Sequence, residues 1–264
     1  RGTTPDQLDD EAAGAIGSAF ARFVAAQVGG AKRVLVARDM RASGVGLAAA
    51  FAAGVQREGL DVVDLGLAST DLLYFASGRL DAPGVMLTAS HNPAQYNGMK
   101  MCLPGARPIG VDSGLQEIKA MAAKSLAGDG EAPAHKVHGG VERLDLLRDF
   151  GHHVRSFIDV GALRPLKVVA DTANGMGGLV VPAVFQGLPI DLEIMYGELD
   201  GSFPNHPADP IQLENLRDLQ ARVLAVGADV GLAFDGDADR VFLVDDQGEP
   251  LSGSTTTAIV AAGV

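Results

Sequence analysis

The sequence predicts two consecutive α/β domains with mainly parallel or mixed sheets, crossover helices and a cleft between the domains. Three observations lead there. Short apolar runs of strand length alternate with longer stretches of helical periodicity, the pattern of strands joined by crossover helices. This alternation occurs twice, once on each side of about residue 150. Polar clusters follow directly on apolar runs at Asp39, Ser90, Asp171 and Asp235. In open parallel sheets, the carboxyl ends of the strands are where ligands gather.

The elements follow in order. Residues 1–5 form a leading loop, and alanine-rich periodicity (Ala12, Ile16, Ala19, Phe20, Phe23, Val24) predicts a helix over 9–28, stopped by Gly29-Gly30. Residues 34–37 are a buried strand that empties into the charged loop 38–44. A helix over 45–58, a strand over 62–65 and a helix over 70–77 come next. Strands over 85–88 and 99–103 flank a polar turn, and a helix follows over 112–124. Glycine and small polar residues make 127–140 a loop. A helix over 144–160 carries His152-His153 and crosses the domain boundary. Adjacent helical residues point to different faces, so this pair reads as exposed histidines rather than a metal site. The second domain continues with a strand at 167–170, a helix to about Gln186 and a strand at 190–195. The proline-rich loop 201–210 follows, where His206 is expected to make a loop-stabilising hydrogen bond. A helix over 213–226 and strands over 230–233 and 241–244 complete it, before a helical pattern from about Thr255.

Bulk composition sets limits on function. With 47% hydrophobic and 20% charged residues over 264, the chain is globular and long enough for two domains. The formal net charge of −12 argues against a nucleic-acid or anionic-membrane partner, since both require basic patches. It does not exclude an anionic substrate held by a local cluster of arginine and lysine. Cys102, the only cysteine, has no internal disulfide partner and reads as a buried thiol. No apolar run approaches the roughly 20 residues of a membrane span, so the cytoplasm is the default. The chain opens on Arg1 rather than methionine and stops inside a helical pattern, as a piece of a longer protein would.

Two stretches carry chemistry. In 86–100, an apolar run breaks at Ser90-His91-Asn92-Pro93, and Asn97-Gly98 turns the chain back to Lys100. A serine hydroxyl is thus offered at a strand end with a histidine beside it. In 234–240, Asp235, Asp237 and Asp239 alternate with small residues and Arg240 closes the row. Carboxylates so crowded repel one another unless a cation lies among them, and an oxygen-only set suits a hard ion such as magnesium. A calcium loop of the helix-loop-helix kind shares the alternating aspartates, with Asp246 in its twelfth place. It fails because Arg240 stands where glycine is required and the flanks read as strands. Gly175 to Gly178 reads either as a phosphate cradle on backbone amides or as a tight turn.

These residues resemble the α-D-phosphohexomutases, the phosphomannomutase/phosphoglucomutase group. Thr88 to Pro93 with Tyr96 to Lys100 is similar to the family's phosphoserine loop, and Asp235 to Arg240 to its magnesium loop. Ala238 stands where most members have glycine. Blocks at 38–44, 171–175, and 203–206 through 214–216 fit the same family in the same order. The resemblance covers residues 1–148 as a first domain, 149–251 as a second and 252–264 as the stub of a third. The family's sugar-recognition and phosphate-binding loops have no match, and with them lies the choice of mannose, glucose or an amino sugar.

The resemblance implies a magnesium-dependent mutase interconverting hexose 6-phosphate and hexose 1-phosphate through a hexose 1,6-bisphosphate, which also serves as activator. Ser90 would carry the phosphoryl group. One magnesium ion would bridge a Ser90 phosphate oxygen and Asp235, Asp237 and Asp239. Lys100 and Arg240 would take proton-transfer or charge-stabilising roles and contact substrate, with charge stabilisation favoured for the permanently protonated Arg240. His91 would orient the serine loop, and Arg1 would contact phosphate. The alternative is a non-catalytic two-domain module binding magnesium and phosphate. A kinase or phosphatase built on the aspartates lacks a P-loop. Oligomeric state is open.

Overall fold

A computed structural model describes residues 1–129 and 139–262. The chain divides into two compact units: Arg1–Ala89 with Gln95–Leu146, and Ser90–Ala94 with the chain from Leu147 onward. Five residues of the serine loop therefore belong to the second unit, although the strands before and after them belong to the first.

The first unit contains β1 (Gly2–Thr3), α1 (Asp10–Gln27), β2 (Arg33–Arg38), α2 (Gly44–Arg57), β3 (Asp61–Leu67), α3 (Thr70–Leu80), β4 (Gly84–Leu87), β5 (Tyr96–Asn97), β6 (Met99–Leu103), β7 (Arg107–Pro108), α4 (Leu115–Leu126) and β8 (Val141–Arg143). Among the described residues, six strands form one mixed sheet in the order β7-β6-β4-β2-β3-β8. The β2 strand runs parallel to β3 and β4, and β3 parallel to β8; β6 pairs antiparallel with both β4 and β7. The apolar faces of α1, α2 and α4 bury Phe20, Phe23, Phe51 and Ile118 against Val34, Val36, Val62 and Val85. At the head of α1, Asp9 accepts a hydrogen bond from the Ala12 amide at 2.8 Å and caps the helix.

The second unit contains α5 (Leu147–Arg155), β9 (Leu166–Asp171), α6 (Gly177–Phe185), β10 (Ile190–Met195), α7 (Arg217–Val226), β11 (Val230–Phe234), β12 (Val241–Val244) and α8 (Gly253–Ala262). Its four-stranded sheet has the order β10-β9-β11-β12. The three strands β10, β9 and β11 are parallel, and β12 returns antiparallel to β11. The core packs Val169 and Ala233 of the sheet against Leu216, Leu219 and Val223 beside and on α7.

The class and strand alternation follow the sequence reading, with corrections of extent. The helix expected over 112–124 is broken: a short 3-10 turn at Val111–Ser113 precedes α4. Gly114 lies between them at φ +133°, and a Cβ there would collide with the Phe23 ring. The helix expected over 144–160 spans only Leu147–Arg155 and lies wholly in the second unit. The Ser156 hydroxyl turns back onto the His153 carbonyl at 2.6 Å, and Arg155 donates to the carbonyls of Ala183 and Val184 at the end of α6. The helix expected over 213–226 opens as a 3-10 turn, Leu213–Leu216. Four strands of two or three residues (β1, β5, β7 and β8) went unforeseen, because so short a run shows no alternation. Of the loop expected over 127–140, residues 130–138 lie outside the described residues. Cys102 is fully buried, and burial raises its thiol pKa. His152 and His153 are exposed, as read. Among the described residues, no helix is long and apolar enough to cross a membrane.

Candidate active site

Two strand ends of the second unit carry its polar clusters. The parallel strands β9 and β11 put Asp171 and Asp235 at neighbouring carboxyl ends. From Phe234 the chain turns through Asp235-Gly236-Asp237-Ala238-Asp239 and returns as β12. The Ala238 amide donates to the Asp235 carbonyl at 3.1 Å, closing this turn. Ala238 has φ +57°, the left-handed region where glycine is at ease and a Cβ is not. A glycine would hold this backbone without that penalty.

Ser90 sits against the aspartate turn. Its hydroxyl donates to Asp235 Oδ2 at 2.6 Å and accepts from Arg240 Nη2 at 2.6 Å. The same Nη2 lies 2.6 Å from His91 Nδ1 and bonds Asp235 Oδ2 at 2.5 Å, while Arg240 Nε reaches Asp235 Oδ2 at 3.0 Å. Because Arg240 is a donor only, His91 Nδ1 accepts and its hydrogen is on Nε2. Ser90 itself has φ +55° and is 1% exposed. A non-glycine residue held in that region marks a place where the surroundings dictate the backbone. Ser90 Oγ is thereby fixed between a carboxylate and a guanidinium.

The three aspartates of the row could hold a cation. One oxygen from each of Asp235, Asp237 and Asp239 lies within 4.8 Å of the others, and the first two residues are fully buried. Burial, then the charge of Asp237, pushes the Asp235 carboxyl up to about 6 against the opposing pull of Ser90 and Arg240. Burial disfavours the charged Arg240 guanidinium, but Asp235 foremost, with Asp239 and Asp237, outweighs it and holds the group protonated. Arg240 pairs with Asp235 Oδ2 and lies 3.7 Å from Asp239 Oδ1. All three donors are hard oxygens, and they fit a hard divalent ion.

Of the residues singled out in the sequence, Ser90, His91, Asp235, Asp237, Asp239 and Arg240 all belong to the second unit and are brought together there. Lys100 and Arg1 belong to the first unit. Lys100 Nζ lies 3.4 Å from Thr70 Oγ1, and Arg1 is exposed at the chain start beside Gly98. The charged loop 38–44 is organised by a buried ion pair in the same unit, Arg41 Nε to Asp39 Oδ2 at 3.1 Å, with Arg41 Nη1 donating to the Tyr96 carbonyl at 3.0 Å.

His206 makes the hydrogen bonds expected of it, with a partner the sequence did not name: Asp171 Oδ2, 2.9 Å from Nε2. The glycines after Asp171 are explained by close packing. A Cβ on Gly175 would stand 2.7 Å from the Gly236 carbonyl, and one on Gly178 would collide with the Gly197 carbonyl. The stretch does make a turn, closed by the Gly175 amide donating to the Thr172 carbonyl at 2.7 Å. What sequence reasoning missed is Gly236, whose Cβ would meet the Ser90 carbonyl at 2.5 Å. The only available signal was its small size inside the aspartate row.

Two family models match this chain. "Phosphoglucomutase/phosphomannomutase, alpha/beta/alpha domain I" covers residues 1–128, and domain II of the same family covers residues 148–248. The chain belongs to the phosphoglucomutase/phosphomannomutase family. Over 267 aligned residues it is 37% identical to a phosphomannomutase of Vibrio cholerae, an alignment taking in 99% of this chain and 57% of that protein. A phosphomannomutase/phosphoglucomutase of Pseudomonas aeruginosa is 38% identical over 249 residues, covering 94% of this chain and 51% of the relative. A crystal structure of a family protein from Burkholderia thailandensis superposes with a TM-score of 0.85 at 34% identity, covering 98% of this chain and 56% of that one. The chain spans a little over half the length of the curated relatives it matches.

Proposed function

We propose that this chain supplies the phosphoryl-carrying half of a phosphohexose mutase that interconverts hexose 6-phosphate and hexose 1-phosphate. The observation that carries this reading is the buried Ser90 hydroxyl, bonded at 2.6 Å to both Asp235 and Arg240 at the edge of the aspartate row. We divide the chain as residues 1–148, 149–251 and 252–264, the last opening a third domain.

Asp235, Asp237 and Asp239 would hold one magnesium ion, which supplies neutralisation of charge on the phosphoryl oxygens. Ser90 carries the phosphoryl group. As a sugar hydroxyl oxygen bonds to phosphorus, the phosphorus–Oγ bond breaks and the electron pair returns to Ser90. Arg240 Nη2 is placed to donate to that oxygen as its charge grows. His91 Nδ1 accepts from the same nitrogen and keeps the guanidinium aimed. The Ser90 oxygen takes up a proton in place of the one the sugar hydroxyl gives up, and when phosphate returns from the bisphosphate the Ser90 proton is balanced by the one gained by the sugar oxygen then released. By family resemblance, Lys100 handles the sugar hydroxyl proton and Arg1 contacts phosphate. Hexose 1,6-bisphosphate would prime Ser90.

The test is intact-mass measurement after incubation with hexose 1,6-bisphosphate and magnesium, beside a coupled mutase assay. The expected result is one added phosphate, absent from Ser90→Ala. Phosphate incorporation at an unchanged level in Ser90→Ala rules out the carrier role. The chain's span of little over half its relatives keeps a second reading in view, a magnesium- and phosphate-binding module without turnover. Phosphate incorporation without mutase activity is its signature.

A further inference from the structure

The aspartate row is backed by two loops that no part of the phosphoryl chemistry uses. Asp171 closes β9, and its Oδ1 accepts from the Ala173 amide at 2.9 Å. Its Oδ2 faces His206 Nε2 at 2.9 Å, and the other ring nitrogen, Nδ1, lies 2.9 Å from the Pro207 carbonyl. Both partners are acceptors, so the geometry calls for a hydrogen on each nitrogen and a positively charged ring. Tyr196 meets this ring edge-on at 5.3 Å and bonds Asp218 at 2.8 Å. The charged groups facing the ring are thus Asp171 and, farther off, Asp218, and both favour the imidazolium. Next to this pair, Asn205 Nδ2 donates to Asn174 Oδ1 at 2.8 Å.

The other side of the 172–176 turn touches the aspartate row itself. The Met176 amide donates to the Gly236 carbonyl at 2.9 Å, and Gly175 packs against the same carbonyl. Ala208, two residues beyond His206 and 2% exposed, stands 3.6 Å from where a Gly236 Cβ would be. Gly236 in turn abuts the Ser90 carbonyl. Two routes therefore run from His206 to Gly236, one through Asp171 and the 172–176 turn, the other through Pro207-Ala208. The left-handed backbones of Ala173 and Asn174, at φ +47° and +58°, show that the turn is held by its surroundings rather than by its own preference.

We propose that His206 is a positioning residue: clamped between Asp171 and Pro207, it sets Gly236, and through Gly236 the spacing of Ser90 and the three carboxylates. Direct hydrogen-bond partners of metal ligands are worth about 10- to 100-fold in affinity when removed, and His206, one loop further back, is expected at the lower end of that range. The affinity consequence rests on the reading of Asp235, Asp237 and Asp239 as the ligands; the positioning itself does not.

The test uses the full chain in two measurements. In the metal-free protein, His206→Ala is expected to speed hydrogen exchange of the Met176 amide by about tenfold or more, with Val168 and Val169 in the middle of β9 unchanged. By calorimetry with magnesium chloride, the same variant is expected to bind about tenfold more weakly. His206→Gln, whose amide can still donate to Asp171, recovers most of both. Leu219→Ala in the α7 core serves as the comparison; it lowers the melting temperature while leaving Met176 exchange and magnesium affinity near wild type. Met176 exchange within twofold of wild type in His206→Ala overturns the proposal. Absence of magnesium binding in the wild-type chain overturns the ligand reading instead, and the exchange measurement then decides the role of His206 on its own.

Discussion

Gly236→Ala is the sharpest single perturbation of the site. Gly236 is not at positive φ, so the new methyl meets no backbone penalty of its own. Its difficulty is the Ser90 carbonyl, 2.5 Å from the Cβ position, where ordinary contact begins at 3.4 Å. About 0.9 Å of separation must be found between two backbone segments, neither of which can swing aside as a long side chain does. Ser90 Oγ is only 2.6 Å from Asp235 Oδ2, so a shift of that size along the same line stretches the bond to the limit of a hydrogen bond. A misplacement of about 1 Å costs on the order of 10²-fold in a positioned reaction. The expected result is therefore a fall of about 100-fold in the rate at which Ser90 takes phosphate from hexose 1,6-bisphosphate, followed by intact mass against time. A rate within threefold of wild type would show that the close approach of Gly236 to Ser90 does not set the geometry.

Three further outcomes are expected. Ala238→Gly removes a Cβ from a left-handed backbone, relieving about 1–2 kcal/mol and returning about 0.4–1 as unfolded-chain entropy. A gain of about 0.5–1 kcal/mol in urea unfolding is expected, and a loss would refute the strain. Arg41→Met leaves the buried Asp39 carboxylate without its guanidinium, which should cost about 3–5 kcal/mol by chemical denaturation; a cost under 1 kcal/mol would show the pair to be idle. His206 has its pKa raised: burial pulls it down, but Asp171 outweighs burial. Its stabilising contribution is then complete below the unfolded histidine value near 6.5 and is lost as pH rises through the higher folded value. The difference in stability between wild type and His206→Gln should shrink as pH rises across that window. A difference that grows instead would reverse the sign of the coupling.

The sequence made the site more legible than the connections behind it. Ser90, His91, Asp235, Asp237, Asp239 and Arg240 stand in two short runs whose chemistry is carried by residue type alone. Strands such as β9 and β11 were readable because apolar side chains on both faces leave a continuous run. Boundaries failed where a single tertiary contact decides them. Gly114, with the Phe23 ring beside it, interrupts the start of a helical pattern, and α5 stops where Ser156 and Arg155 find partners. The partnership of Asp171 with His206 joins residues 35 apart in sequence, and no local periodicity reports such a pair. The alanine at 238 was visible as an oddity; only the backbone angle gives it a meaning.

The membership of residues 90–94 in the second unit has an evolutionary consequence. The natural seam between the units, near residue 147, is not a clean breakpoint for recombination. A gene spliced there would inherit the acidic turn from one parent and the hydroxyl it grips from the other. Both parents would have to agree in five residues encoded far upstream, so these two units are expected to descend together.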